Sequence, residues 1–210
     1  RGGVAEQLVE ITTIVPPTVI DLSTLTPSHG FAIRGDAAGD NAGFSVSAAG
    51  DVNGDGIADI VLGAMTDNMY GGNAGAAYVV FGQAAPTDLD LAALGSRGLV
   101  IHGDQDDYIG ASVAGVGDLN GDGRADIAIG DYNAGPGAGS TAGEAYVVFG
   151  RAGTAPVDLH GPGFASQGFR IHDTTGTNND QLGAQVTSAG DFNGDGVPDI
   201  GVWATSNTAP

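Results

Sequence analysis

One nine-residue pattern, written three times, limits what this chain can become. Asp51-Val52-Asn53-Gly54-Asp55-Gly56-Ile57-Ala58-Asp59 returns as Asp118-Leu119-Asn120-Gly121-Asp122-Gly123-Arg124-Ala125-Asp126, and again as Asp191-Phe192-Asn193-Gly194-Asp195-Gly196-Val197-Pro198-Asp199. Oxygen-bearing side chains stand at positions 1, 3, 5 and 9, with glycines at 4 and 6. Alternate residues of a curled loop point inward, the glycines permit the curl, and the resulting nest of hard oxygen donors suits Ca²⁺. Mg²⁺ fits less well, because it keeps its waters and takes fewer protein ligands. An EF-hand needs a glutamate at position 12 and flanking helices. Here position 12 is Leu62, Ile129 and Val202, and the residues after each loop are β-branched.

The repetition extends beyond the loops, with a period of about 70 residues that reads as a repeat architecture. Before each loop lies an alternating stretch (43–47, 110–114, 183–187), and after it an apolar run (59–63, 126–130, 199–203). Strand, tight polar turn and strand make a hairpin. A third strand follows twice, over 77–82 and 145–150, rich in β-branched and aromatic residues. A fourth recurs at Gly30-Phe31-Ala32-Ile33-Arg34, Gly98-Leu99-Val100-Ile101-His102 and Gly168-Phe169-Arg170-Ile171-His172. Between third and fourth strands runs a Pro-to-Asp-Leu segment (17–25, 86–94, 156–159), with a helical turn expected at Leu91 to Leu94. Four strands per unit, stacked so that neighbours cover each other's faces, predict an all-β chain of β-propeller blades. Residues 1–16 read as a leading segment and 17–210 as the repeats.

Composition closes off several functions. The net charge is −19, with six Lys+Arg against 25 Asp+Glu, so nucleic acid and anionic membrane surfaces are disfavoured partners. No apolar run approaches the roughly 20 residues of a membrane-spanning helix. There is no cysteine, so bound metal rather than disulfides would have to staple the fold.

The string Gly43-Phe44-Ser45-Val46, Asp51 to Gly56, then Asp59-Ile60-Val61-Leu62-Gly63-Ala64 resembles the FG-GAP repeat, which builds the β-propeller of integrin alpha subunits and of many bacterial surface proteins. The resemblance covers about Pro17 to Pro210. It implies about three Ca²⁺ ions on the loops joining the two innermost strands of each blade. The implied ligands are Asp51, Asn53, Asp55, the Ile57 carbonyl and Asp59; then Asp118, Asn120, Asp122, the Arg124 carbonyl and Asp126; then Asp191, Asn193, Asp195, the Val197 carbonyl and Asp199. The family's Phe-Gly pair reads here as an inverted Gly43-Phe44, then Ile109-Gly110 and Leu182-Gly183. Its Gly-Ala-Pro element reads Gly63-Ala64-Met65, Gly130-Asp131-Tyr132 and Trp203-Ala204-Thr205.

Other polar residues point less sharply. Asp36 and Asp40, then Asp104, Asp106 and Asp107, then Asp173 and Asp180, fall before the first strand of each unit, on the face expected to lie opposite the loops. They read as solvated loops, with a partner-binding rim or weak cation sites as the alternative. His102 and His172 read as outer-strand surface residues, while His29 and His160 stand isolated. Tyr78, Tyr146, Phe81, Phe149 and Trp203 are expected in packing between blades. No nucleophile–base pair is recognisable.

The expected function is therefore an extracellular or cell-surface module for adhesion or recognition of a protein or glycan, its blades stabilised by Ca²⁺. Part of a secreted hydrolase or polysaccharide lyase, and a spacer in a large surface protein, are the alternatives. Three units are too few for an ordinary ring. Either the chain is part of a longer one, or two copies pair, with Leu8–Ile11 and the strand at Phe31 to Arg34 completing the blade begun at Gly183.

Overall fold

The structure is a computed structural model that describes residues 25, 30–134, 142–173 and 180–205. In chain order its strands are β1 (Ile33–Arg34), β2 (Ala42–Gly50), β3 (Asp59–Ala64), β4 (Ala76–Val80), β5 (Leu89–Asp90), β6 (Gly98–His102), β7 (Ser112–Gly117), β8 (Asp126–Asp131), β9 (Glu144–Val148), β10 (Val157–Asp158), β11 (Gly168–His172), β12 (Gln185–Gly190) and β13 (Asp199–Trp203). Strands β2, β3, β4 and β6 make one antiparallel blade, and β7, β8, β9 and β11 a second. The hairpin β12–β13 begins a third, to which no further strand is added among the described residues. The expected four-strand unit is thus present twice. The leading Leu8–Ile11 and most of the first Pro-to-Asp-Leu segment lie outside the described residues.

The Asp-Leu segments do more than connect. β5 pairs in parallel with β1, and β10 pairs in parallel with β6, with Leu89 opposite Ile33 and Val157 opposite Ile101. Each segment leaves the third strand of its own blade and binds the outer edge of the blade before it. That caps an otherwise open strand edge. The chain then returns through short 3-10 turns, Leu91–Ala93 and Phe164–Ser166, the first of them where a helical turn was expected. β1 stands to β5 as β6 stands to β10. It therefore holds the outer-strand position of a blade preceding the first, and the described residues of one chain do not pair it with the third hairpin.

The first loop's second residue, Val52, joins Val61, Val79 and Ile101 of one blade in a core shared with Ile127, Ile129 and Val148 of the next, all almost wholly buried. A smaller core of Val116, Ala128 and Val186 joins the second blade to the third hairpin. Val52, Leu119 and Phe192 occupy one position in the three loops. Val52 is buried, Leu119 half-buried, and Phe192, with no blade beyond it among the described residues, is 87% exposed.

The blades approach most closely through glycines. Gly43, Gly110 and Gly183 all have φ near +85°, each at the third place of a turn closed by an amide three residues on (Phe44 to Asn41, Ala111 to Tyr108, Ala184 to Gln181). These turns enter the inner strand of each blade and rest on the glycine of the preceding blade's second strand. A methyl group on Gly63 would lie 1.9 Å from the Gly110 carbonyl oxygen, and one on Gly130 the same distance from that of Gly183. This register corrects the sequence reading. The first unit's pair is Ala42-Gly43 in ordinary order, with buried Ala42 where Ile109 and Leu182 stand, and Phe44 is 55% exposed. Trp203 occupies the place of Gly63 and Gly130, and it too departs from expectation: it is 65% exposed rather than packed between blades.

Gly63→Ala should destabilise the fold by about 3 kcal/mol, since the atom in the way is backbone and cannot rotate aside. Gly153→Ala, with open space around it and no constrained φ, should change stability by less than about 0.5 kcal/mol. Urea unfolding of the two variants checks both figures.

Candidate metal centres

Each loop is entered through a bulge. The ladder slips between Ala48 and Gly50, Gly115 and Gly117, and Ser188 and Gly190, with Gly50, Gly117 and Gly190 at positive φ. The extra residue bends the strand so that the next residue, the loop's first aspartate, turns over the loop. Asp51 then accepts the amides of Gly54 (2.7 Å), Asp55 (3.0 Å) and Gly56 (2.8 Å). Asn53 Oδ1 accepts the Asp55 amide at 2.8 Å, and Asp55 Oδ1 accepts the Ile57 amide at 2.8 Å. The second and third loops repeat every one of these bonds at Asp118, Asn120 and Asp122 and at Asp191, Asn193 and Asp195. In the second loop these amides shift Asp118 below the ordinary value, chiefly through the Gly123 amide.

The ninth residue has a different job. Asp59 is 1% exposed; its carboxylate accepts the Val52 amide within the loop and the Gly82 amide beyond the third strand, both at 2.8 Å. Asp126 does the same with Leu119 (2.8 Å) and Gly150 (2.9 Å). Burial raises the pKa of both, and these amides pull it back. Asp199 accepts only from inside its loop, from Phe192 and Asn193, and is half-buried. The ligands expected in each loop are oxygens alone: carboxylates, the Asn side-chain carbonyl and the backbone carbonyls of Ile57, Arg124 and Val197. That chemistry fits a hard cation of the calcium kind.

At the opposite end of the strands Asp104, Asp106 and Asp173 are exposed as expected, but other acidic residues are gathered. Asp36, Asp40 and Asp67 bring carboxylate oxygens within 4.8 Å of one another, close enough to hold a metal ion. Asp40 and Asp67 are 3% and 1% exposed, so the reading of Asp40 as a solvated loop residue is overturned. Burial, then the Asp36 charge, pushes Asp40 up to about 6. The phenol of Tyr78, fully buried in the blade as expected, donates its one proton to Asp67, and its oxygen also lies 2.9 Å from Asp36 Oδ2. Sequence reasoning missed Asp67 because it lies in the connection after β3, far in sequence from the other two. In the second blade Tyr146 donates to Glu144 at 2.7 Å and meets His160 at 3.0 Å, and His160 in turn reaches Asp104 and Asp107 at 3.4 Å. His160 is therefore not isolated. His102 lies flat on Tyr70, the rings 3.6 Å apart. His29 lies outside the described residues, and His172 is exposed as expected.

Asp131 completes this second cluster from β8. It is fully buried, accepts the Asn133 and Ala134 amides through Oδ1, and leaves Oδ2 without a hydrogen-bond partner among the described residues. Burial pushes its pKa up to about 8, with Asp107 and Glu144 adding repulsion.

The FG-GAP repeat family matches this chain twice, over residues 42–80 and 110–148. Both matches span the inner hairpin, its loop and the third strand.

Asp131 keeps its proton in the fold to about pH 8 but in the unfolded chain only to about its ordinary value of 3.8. Its contribution is therefore whole below pH about 4 and is lost as pH rises through about 8. Asp131→Asn should be more stable than the parent at pH 9 by at least about 2 kcal/mol, with a flatter profile between pH 4 and 8. Melting curves across that range, in one buffer series, check it.

Proposed function

The chain carries FG-GAP repeats, and from that premise we propose that it is a calcium-stabilised β-propeller module serving adhesion or recognition outside the cell. FG-GAP repeats occur in extracellular adhesion and recognition modules and often bind Ca²⁺. Among the described residues no helix is long and apolar enough to cross a membrane. The observation that carries the reading is the sameness of the three loops: one hydrogen-bond scaffold, built three times, presenting the same oxygen donors.

The proposed ligands are Asp51, Asn53, Asp55, the Ile57 carbonyl and Asp59, with their counterparts in the second and third loops. The role of the ion is structural. It neutralises the loop's aspartates and fixes the turn of the inner hairpin, and through Asp59 and Asp126 that turn is tied to the end of the third strand. The charge of the ion also offsets the cost of burying those two carboxylates. At about 1 mM Ca²⁺ and a Kd of about 0.1 mM, each site adds roughly 1.4 kcal/mol, or about 4 kcal/mol for three. With the loops occupied in this way, recognition of a protein or glycan partner falls to other surfaces of the blades.

Chelation by EDTA should lower the melting temperature by about 10 °C, and Mg²⁺ at the same concentration should restore much less of it than Ca²⁺. Equal melting curves with and without chelator would sink the reading.

A further inference from the structure

The loops are not independent of one another. The backbone carbonyl of Asp51 accepts the Ala125 amide at 2.9 Å, from one blade's loop to the next. Nε of Arg124 reaches the Asn53 carbonyl at 3.5 Å, and Val52 between them is buried in the shared core. The first three residues of the first loop, which carry two of its proposed ligand side chains, thus rest on the seventh and eighth residues of the second.

A single peptide unit does the joining. The Arg124 carbonyl and the Ala125 N–H belong to one planar trans amide, and so point in opposite directions. In the reading proposed above, that carbonyl is a cation ligand of the second loop. The N–H at the other side of the same plane holds the first loop by its backbone. A cation that fixes the carbonyl fixes the N–H as well, and polarises it into a stronger donor. Ordering one loop in this way lowers the ordering cost of the other. The junction between second and third loops lacks this link. Pro198 stands where Ala125 stands, and it has no N–H to give to Asp118.

We propose that the loops Asp51–Asp59 and Asp118–Asp126 bind their cations with positive cooperativity, coupled through the Arg124–Ala125 peptide, while the loop Asp191–Asp199 binds alone. This rests on the loops being cation sites.

The test is a calorimetric titration with Ca²⁺, in an Asp195→Ala background that removes the third site. The second binding step should be at least about 5-fold tighter than the first, the lower end of ordinary coupling between sites. Ala125→Pro deletes the N–H while keeping the Arg124 carbonyl. Pro198 in the third loop shows that the turn accepts proline there, with its ring beside Gly117 as Ala125 lies beside Gly50. In that variant the two steps should become independent. Ala125→Gly, which keeps the N–H, should stay cooperative, and separates loss of the bond from loss of the fold. Independent steps in the parent, or cooperativity surviving Ala125→Pro, overturn the coupling and leave the sites standing. No Ca²⁺ binding at all overturns the sites and the coupling together.

Discussion

A buried carboxylate spanning two amides is the fastening on which each blade depends. Asp59 takes one amide from inside its own loop and one from Gly82, two residues past the third strand, and Asp126 repeats the arrangement with Gly150. Without that bridge the hairpin loop would be a nine-residue excursion attached to the sheet at its two ends only. With it, loop, second strand and third strand move as one body. A carboxylate is suited to this because one side chain accepts two N–H groups at fixed directions, at the cost of burying charge. The third loop shows the arrangement half built. Asp199 still organises its own turn, but without a third strand among the described residues it is half-buried and braces nothing beyond it.

Much of this was legible in the residues. The strands of two blades fall within a few residues of where β-branched runs and glycine-rich turns placed them, and a helical turn was expected where the 3-10 turn at Leu91 stands. What was not legible depends on neighbours distant in sequence. The parallel pairing of β5 and β10 with the preceding blade leaves only a two-residue mark. The pairing of Ala42 with Gly43 was misread because Phe44 has the right side chain for the family's motif, and only the shared φ near +85° shows which glycine is the turn. Asp67 and Asp131 look like ordinary strand-end aspartates until the sheet brings Tyr78 and Tyr146 beside their clusters.

The two ends of each blade handle negative charge by different physics. In the loops, backbone amides converge on the first aspartate near the surface. At the other end, carboxylates are driven together by burial, and share protons and phenol hydrogens instead. Tyr78 and Tyr146 are the pivots: burial and the adjacent carboxylates hold each phenol far above its ordinary range, so it is always a donor there. The same strand thus joins an end braced by backbone amides to an end where burial favours protonated carboxylates. Metal supply would act on the first and pH on the second.

The glycine that lets one blade rest on the last also gives the row of blades a direction. A blade ending its second strand in Gly63 or Gly130 presents a flat seat, and the following turn settles on it at backbone distance. The third hairpin offers Trp203 at that seat and Gln185 beside it, where the earlier blades have Ser45 and Ser112. A further blade arriving in the same orientation would find its turn carbonyl where the indole begins. It would have to stand off or tilt, and the row would lose its regular curvature at that point. Repeats of this kind are thus interchangeable in one sense only: any of them can sit on a glycine, but only one that carries a glycine can be sat upon.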